Sequence, residues 1–294
     1  MADDGPPAPV RLDGSEPGSP VAGGDERSWV VPYRVRFDEA GPDGRVRPGI
    51  LLAYAQDCAW VHSTDLGFDR AWYRARGLAW LVRAVRLDLR APIESGSELL
   101  VRTTVIGFRA ASARRRTDVT LGRERVAVVV TDWALTDERG RPVRLPAEVR
   151  ARFARVGGDG LGGFSPLRVV DGSGRPAEPA EAPAAALSDR LGRVRRADTD
   201  PMGHLNNSRA LDLVEEAIAD LPAGQAVLGT LPRRYLLEYR APLPVGSPLD
   251  VRLGPVGDNP GAAFNVEIRA AGAPSAAIVA VVEAGDGALE EELG

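Results

Sequence analysis

Two periodicities alternate along this chain. Residues 29–37 alternate between apolar and polar side chains from Tyr33 on, and residues 48–66 then carry apolar side chains at every third or fourth position. Alternation is typical of a half-buried strand, and the longer period is typical of an amphipathic helix. Pro48 suits the first turn of that helix, and Gly67 ends it. After a short helix at 69–76, the first half is predicted to add four strands, at 78–90, 98–108, 113–121 and 125–135.

The second half repeats this order of elements. A short strand near 192–196 precedes a helix from Ser208 to Asp220. Residues 87–102 align without a gap on residues 237–252, 150 positions later, with Arg-Ala-Pro, Gly-Ser and Val-Arg in common. An internal repeat of domain size explains this match. The remaining strands of the second half are predicted at 233–240, 249–256, 263–269 and 276–282.

Shifts in composition divide the chain into two domains. Residues 1–27 are rich in Pro, Gly, Asp and Ala and lack a leader pattern, so we expect a disordered tail there. Residues 157–189 contain many Gly, Pro and Ala residues and almost no aromatic ones, which predicts a linker. The predicted domains are therefore 28–156 and 190–284, and residues 285–294 form an acidic tail.

Composition and charge exclude several classes of function. The 294 residues are 44% hydrophobic and 27% charged, as in a soluble globular protein. A net charge of −4 gives no support for nucleic-acid binding, and no run of apolar residues is long enough to span a membrane. The single cysteine, Cys58, excludes an internal disulfide and fits a cytoplasmic protein. Its apolar neighbours favour a buried, unreactive thiol.

The stretch 196–207, Arg-Ala-Asp-Thr-Asp-Pro-Met-Gly-His-Leu-Asn-Asn, concentrates the candidate chemistry. Asn206, Asn207 or Ser208 can cap the helix that follows, which places this loop over a helix N-terminus. Unpaired backbone N–H groups at such a terminus stabilise negative charge, so we expect those of residues 205–207 to polarise a substrate carbonyl. The structural alternative is that the aspartates and asparagines only cap the helix.

Three residues of this stretch suit acyl transfer. Gly203 lets the backbone approach a substrate closely. Asp200 supplies a carboxylate and His204 an imidazole beside the polarised carbonyl, which suits general acid–base or nucleophilic catalysis. A single histidine in a loop is also common as a plain surface residue.

The combination Asp-x-x-Gly-His-x-Asn-Asn, before a helix that contains Glu215-Glu216, resembles the hot-dog-fold thioesterases, in which such a loop opens the central helix. The resemblance implies that Asp200 is the nucleophile or general base. The first copy of the repeat has Gly41 in place of Asp200 and Arg45 in place of His204. We therefore expect two sheets, each wrapped around its own helix and packed side by side, with one active cleft.

A more specific resemblance rests on seven segments of the first half: 55–62, 66–67, 77–83, 90–92, 115–118, 131–133 and 144–146. These segments resemble the N-terminal domain of acyl-ACP thioesterases of plants and bacteria. The resemblance implies a tandem double hot-dog of α+β class, each half an antiparallel sheet around a central helix. It also implies hydrolysis of acyl thioesters on the phosphopantetheine arm of acyl carrier protein, with the acyl chain held mainly by the N-terminal domain.

Two positions depart from the pattern of that family. Met202 stands where the family motif has Asn, and Tyr239-Arg240 is followed by Ala241-Pro242 where the family has a Glu-Cys pair. The run from Asp200 to His204 is closer to acyl-CoA thioesterases of the 4-hydroxybenzoyl-CoA type. Acyl-CoA hydrolysis and non-catalytic acyl binding are therefore the alternatives. The sequence lacks the His-x-x-x-Gly-x-x-x-x-Pro pattern expected of a hot-dog dehydratase.

The predicted site combines residues of both halves, since Gln56 and Asp57 align with Glu215 and Glu216 in the repeat. His204 would orient the substrate or protonate the leaving thiolate, and Gln56, Asp57 and Glu216 would position water or only form helix-surface hydrogen bonds. The predicted catalytic residues are Asp200, His204, Asn206 and Glu216, and the predicted substrate-binding residues are Gly203, Leu205, Asn207, Gln56 and Asp57.

The expected partner is acyl carrier protein, or CoA as the alternative carrier. The arginine-rich segments 114–116 and 193–196 can receive an acidic carrier protein or can form solvated strand faces. No cofactor is expected, because the sequence has no metal-ligand cluster, Gly-rich nucleotide loop or Gly-x-Ser-x-Gly elbow. A homodimer fits the sequence, whereas nucleic acid and membrane are not expected partners.

Overall fold

The alternating segments of both halves form one continuous antiparallel sheet. The computed structural model describes residues 28–155, 162–169, 191–256 and 263–285. Within these residues the strands are β1 (Ser28–Arg34), β2 (Leu78–Leu89), β3 (Glu98–Phe108), β4 (Ser112–Leu121), β5 (Glu124–Asp137), β6 (Arg233–Tyr239), β7 (Leu249–Pro255), β8 (Ala263–Ala270) and β9 (Ile278–Ala284). Hydrogen-bonded neighbours follow the order β1-β3-β4-β5-β2-β6-β9-β8-β7. The strands predicted after each main helix are therefore confirmed.

The two halves join where β2 pairs with β6, which corrects the expectation of two separate sheets. The register places Arg86 opposite Leu236 and Val85 opposite Leu237. Leu236 is also the residue that aligns with Arg86 in the repeat, so the strand pair has local two-fold symmetry. Continuous backbone hydrogen bonds thus fix the two halves relative to each other.

The helices are α1 (Pro48–Asp65), α2 (Arg70–Arg74), α3 (Ala147–Arg155), α4 (Asn207–Ile218) and α5 (Pro222–Gly229). Pro48 is the first residue of α1, and the chain leaves this helix through Gly67, whose φ of +87° favours glycine. The central helices α1 and α4 pack against each other, α1 on the first-half strands and α4 on β7 and β8. Among the described residues, no helix combines the length and apolar character needed to cross a membrane.

A shared apolar core lies between these two helices and the sheet. Both halves contribute fully buried side chains to it: Leu51, Leu52, Leu87, Leu211, Ile218, Leu237 and Ile268. Cys58 belongs to the same core, where its thiol donates a hydrogen bond to Val101 O over 3.4 Å. Burial raises the pKa of this thiol to about 12, as expected for an unreactive cysteine.

The repeat extends to individual backbone hydrogen bonds. In each half, the loop that leads into the central helix is hydrogen-bonded to the turn before β3 or β7. The two halves use equivalent donors and acceptors. The equivalent N–H to O pairs are Val35–Ser97 and Val194–Ser247 (2.9 and 3.0 Å), Gly96–Val35 and Gly246–Val194 (both 2.8 Å), and Ser95–Gly44 and Val245–Gly203 (2.9 and 3.1 Å).

One local prediction was wrong, and two helices were missed. Residues 192–196 form no strand, because Arg193 makes only an isolated bridge to Pro248 and a 3₁₀ turn follows at Arg196–Asp198. The helices α3 and α5 were not predicted.

Part of the predicted linker is packed on the sheet. Leu167 N–H donates to Asp132 Oδ2 over 2.8 Å, and Val169 N–H donates to Glu238 Oε1 over 2.6 Å. Asp132 lies on β5 and Glu238 on β6, so this segment binds both halves. The predicted tails at 1–27 and 286–294, and the linker residues 157–161 and 170–189, lie outside the described residues, and the domain limits stay a prediction.

Gly49 sets how closely α1 approaches α4. A Cβ at this position would lie 2.4 Å from Asp212 Oδ1 and 2.6 Å from Ser208 O. We expect Gly49→Ala to lower the free energy of unfolding by about 1–3 kcal/mol, because the helices must separate. Urea denaturation measures this change. Gly229→Ala is the control, because nothing lies within 4 Å of its added Cβ; it should be neutral or stabilising, and an equal loss in both variants would contradict the packing.

Candidate functional site

The loop before α4 folds into a tight turn closed by its own hydrogen bonds. Asp200 N–H donates to His204 O, and Gly203 N–H donates to Asp200 O, each over 2.9 Å. Gly203 has a φ of +79°, which side chains rarely permit. Asp200 Oδ1 accepts the N–H of Met202 at 2.8 Å and of His204 at 3.4 Å. The turn thus orients the carboxylate, and Oδ2 has no donor among the described residues.

Asn206 caps α4, as predicted. Its Oδ1 accepts the Ser208 N–H at 2.9 Å and the Ser208 hydroxyl at 2.7 Å. Because Oδ1 is used in this way, the side-chain amide N–H groups of Asn206 remain as donors. The loop with Asp200 therefore lies over the N-terminus of a capped helix.

Two of the three amides expected to polarise a carbonyl are already hydrogen-bonded. Leu205 N–H donates to Leu243 O and Asn206 N–H donates to Asp198 O, each over 2.8 Å. In the part of the chain that the structure describes, the Asn207 N–H has no acceptor. This corrects the prediction for Leu205 and Asn206 and leaves Asn207 as the backbone donor.

A cavity of about 280 Å³ lies between this loop, the first turn of α4 and the middle of α1. Its first-half wall includes Gln56, whose Nε2 is buried and has no hydrogen-bond partner in the described part of the chain. A donor in that state favours a ligand that supplies an acceptor. The lining residues are Ala53, Gln56, Ala197, Asp198, Thr199, Asn206, Ser208 and Arg209.

The structure does not bring every predicted site residue to this cavity. Asp200 and His204 occupy the adjoining turn and are not lining residues. Asp57 lies on another side of α1, where its carboxylate accepts the Tyr33 hydroxyl at 2.5 Å. Glu216 is exposed on α4. Of the two predicted first-half residues, only the glutamine faces the cavity.

Asp198 is a cavity residue that the sequence analysis treated only as a helix cap. It is 9% exposed, and Arg195 holds its carboxylate through two hydrogen bonds of 2.6 and 3.0 Å. In the sequence, the signal for this pairing was Arg195, three positions before Asp198. Spacing alone did not indicate which of Asp198 and Asp200 faces the cavity, because the 3₁₀ turn at Arg196–Asp198 sets the direction of the chain here.

Two carboxylates of α4 are half-buried. Asp212 pairs with Arg209 at 2.9 Å through Oδ2, but its Oδ1 is buried and has no partner among the described residues. Glu215 accepts the Tyr235 hydroxyl, and Arg233 lies 3.8 Å from it. Burial raises the pKa of both carboxyls. Within the described ranges, no group of three or more His, Cys, Asp or Glu side chains is arranged to hold a metal ion.

The corresponding loop of the first half has different chemistry. Arg47 stands at the helix cap, and its guanidinium donates to Asp38 O at 3.1 Å and to Ala40 O at 3.4 Å. Gly41 stands where the second loop has Asp200. This loop therefore has a cation at its helix cap and no carboxylate at the position that corresponds to Asp200.

The two arginine-rich segments differ in exposure. Arg114 binds Asp132 through hydrogen bonds of 2.6 and 2.9 Å, and Arg115 is buried with one guanidinium nitrogen 3.0 Å from His62 Nδ1. Segment 114–116 is therefore unsuited to receive a carrier protein. The arginines of segment 193–196 are exposed.

Residues 26–153 match the family of acyl-ACP thioesterase N-terminal domains. Among curated protein sequences, none matches this chain. Three solved structures resemble nearly the whole of it. One is a proposed oleoyl thioesterase from Lactobacillus plantarum, with 15% identity and a TM-score of 0.70, over 88% of this chain and 97% of that one.

The second is an acyl-ACP thioesterase from Bacteroides thetaiotaomicron, with 17% identity and a TM-score of 0.68, over 87% of this chain and 97% of that one. The third is the 12:0-ACP thioesterase from Umbellularia californica, with 18% identity and a TM-score of 0.65, over 87% of this chain and 96% of that one. These likenesses confirm the α+β tandem hot-dog fold.

Asp212 should make stability depend on pH. Burial raises its folded-state pKa above the unfolded value, so the stability that it contributes is present at low pH and lost as the pH rises through the folded-state pKa. We expect Asp212→Asn to raise the free energy of unfolding near neutral pH by on the order of 1 kcal/mol, because desolvation of the ionised carboxylate outweighs its pairing with Arg209. The gain should shrink as the pH falls.

Urea denaturation of both proteins over a pH series measures this difference. Asp43→Asn is the control, because Asp43 is exposed, and it should show no comparable gain. A difference in the free energy of unfolding between wild type and Asp212→Asn that grows toward low pH would contradict the raised pKa of Asp212.

Proposed function

We propose that this chain, whose residues 26–153 match the N-terminal domain of acyl-ACP thioesterases, hydrolyses acyl-ACP to a free acid and holo-ACP. The observation that carries the proposal is the cavity at the capped N-terminus of α4, walled by α1 and adjoining the turn with Asp200. The cavity supplies donors for a carbonyl oxygen, and the adjoining turn supplies a carboxylate with one oxygen that accepts no hydrogen bond from the described residues. A cytoplasmic role in fatty-acid metabolism follows from this substrate class.

Asp200 acts as the base or the nucleophile in this mechanism. As a base, its Oδ2 takes a proton from water while the water oxygen attacks the thioester carbon. As a nucleophile, Oδ2 attacks the same carbon, and water then hydrolyses the acyl-aspartyl anhydride. The backbone N–H groups of Met202 and His204 hold Oδ1 and so aim Oδ2 in either case.

The developing oxyanion needs donors that are not already bonded. We assign this role to the Asn207 N–H and the side-chain amide of Asn206, both at the positive end of α4. Gln56 adds a donor from the first half. Glu216 and Asp57 receive no direct role, because the first is exposed and the second binds Tyr33.

His204 protonates the departing sulfur in this scheme. When the tetrahedral intermediate collapses, the C–S bond breaks and the thiolate of the phosphopantetheine arm takes a proton from the imidazole. Asp198, fixed by Arg195 in the cavity wall, shapes the path of that arm. Gly203 and Leu205 support the turn through their backbone.

Acyl-CoA is the second candidate substrate. The observation that favours it is the run Asp200-Pro-Met-Gly-His, which departs from the acyl-ACP motif at Met202. The same chemistry would apply, and only the carrier would differ. A non-catalytic acyl-binding role predicts instead tight binding of acyl ligands without turnover.

Replacing Asp200 tests the chemistry. Asp200→Asn keeps an oxygen acceptor for the turn but removes the base, so thiol release from octanoyl-ACP and octanoyl-CoA should fall about a hundredfold or more. Asp43→Asn makes the same change in the first-half loop and should retain activity. Activity of Asp200→Asn within roughly tenfold of wild type, in a folded protein, would exclude this mechanism.

Replacing Gln56 tests the contribution of the first half. Gln56→Ala should lower kcat for octanoyl-ACP about tenfold or more, because one oxyanion donor is lost. Gln225→Ala, at an exposed position of α5, is the matched control for the change of side chain. Equal kcat values for both variants would remove Gln56 from the mechanism.

A further inference from the structure

Three segments beside the cavity form one continuous patch of surface. Val194 N–H donates to Ser247 O over 3.0 Å, and Val194 O accepts the Gly246 N–H over 2.8 Å. Val245 N–H then donates to Gly203 O over 3.1 Å. These bonds hold segment 193–196, the turn at 201–204 and the turn at 244–247 side by side.

The exposed side chains of this patch are basic and apolar. Arg193, Arg195 and Arg196 are exposed on the first segment. Met202 and Val245 are among the most exposed large apolar side chains of the described residues, at 48% and 43%. We call these five residues the loop surface. Apolar side chains next to unscreened cations are typical of a site for another macromolecule.

Few acidic groups offset the charge of the loop surface. Arg195 pairs with Asp198 at 2.6 Å, and the Asp200 carboxylate is held within its own turn. In the described part of the chain, Arg193 and Arg196 have no carboxylate within 4.0 Å. The loop surface is therefore locally positive on a chain with a net charge of −4.

The first half provides a copy of this backbone with different side chains. The same three hydrogen bonds join its segments, but Asp43 replaces Met202 and Ser95 replaces Val245. Arg36 of this copy is paired with Asp38 and Glu39, at 3.2 and 3.1 Å. The backbone therefore does not require apolar side chains at the two turn positions. The copy has the exposed Phe37 in place of Arg196, so the loop surface carries three arginines where the copy carries two.

We propose that the loop surface docks the carrier protein, through a surface of the carrier that combines carboxylates with apolar side chains. This inference rests on the proposed function and adds to it the place where the carrier binds. Residues 197–199, which follow directly on the arginines, line the cavity. A carrier bound here can therefore pass its phosphopantetheine arm into the cavity beside Asp200. Opposite charge on the two surfaces speeds the encounter.

Charge reversal tests the loop surface. The variant Arg193→Glu/Arg196→Glu should lower kcat/KM for octanoyl-ACP about tenfold or more, mainly through a higher KM, with the largest effect at low salt. Hydrolysis of octanoyl-N-acetylcysteamine, which has the thioester but no carrier, should stay within roughly twofold of wild type because these side chains lie outside the chemistry. Val245→Asp should also lower kcat/KM for octanoyl-ACP, with little effect on hydrolysis of octanoyl-N-acetylcysteamine.

The repeat supplies a matched control. Arg34→Glu changes the first-half residue that corresponds to Arg193 and should leave octanoyl-ACP kinetics unchanged. Binding of octanoyl-ACP to immobilised wild type, Asp200→Asn and the loop-surface variants gives a readout that does not need turnover. It should weaken only when the loop surface is altered.

Each result separates the docking surface from the proposed function. Equal losses with both substrates, or an equal loss in Arg34→Glu, overturn the docking surface. Turnover that needs Asp200, together with unchanged carrier binding in the loop-surface variants, also overturns it and keeps the function. Carrier binding that these variants abolish, without turnover of either substrate, supports the surface and overturns the function. No carrier binding by wild type overturns the surface.

Discussion

Backbone hydrogen bonds between β2 and β6 hold both halves of the molecule in one frame. The cavity has one wall on α1 and another on the loop before α4, so its shape depends on how the halves are joined. A shift of one residue in this register would displace one half by about 3.3 Å and turn each inward side chain outward. Strand pairing far from both residues therefore places Gln56 and Asn206 around the same cavity.

The two copies of the repeat share the backbone structure of the loop before the helix but differ in its side chains. Equivalent hydrogen bonds build both helix-entry loops, yet one carries Asp200 and an asparagine cap, and the other carries Gly41 and Arg47. Because the backbone is shared, the difference lies in a few side chains. The first half contributes a helix wall to the site of the second half and has no equivalent carboxylate of its own.

Much of the fold could be predicted from the sequence. The strand at 98–108 was placed correctly because the segment is rich in β-branched and other apolar side chains, which favour a strand. The ends of α1 followed from Pro48 and Gly67, which begin and stop a helix for steric reasons. The helix α5 was missed because Pro222 and the glycines of this short segment are typical of a loop.

The site was less predictable, because the spacing of residues along the sequence does not show where each side chain points in the folded chain. The stretch 196–207 contains two aspartates, but the folded loop decides that Asp198 lines the cavity and that Asp200 is held in the adjoining turn. The joining of the two sheets was also beyond the sequence, since no local pattern in β2 or β6 specifies a partner 150 positions away. Those features required the packed structure.

The order of strands leaves β1 and β7 at the two ends of the described sheet. Each contains a proline, Pro32 within β1 and Pro255 at the end of β7. A proline has no N–H to offer a further strand, and its ring obstructs close approach. Growth of the sheet by edge-to-edge addition, the usual first step of β-aggregation, is therefore hindered at both ends.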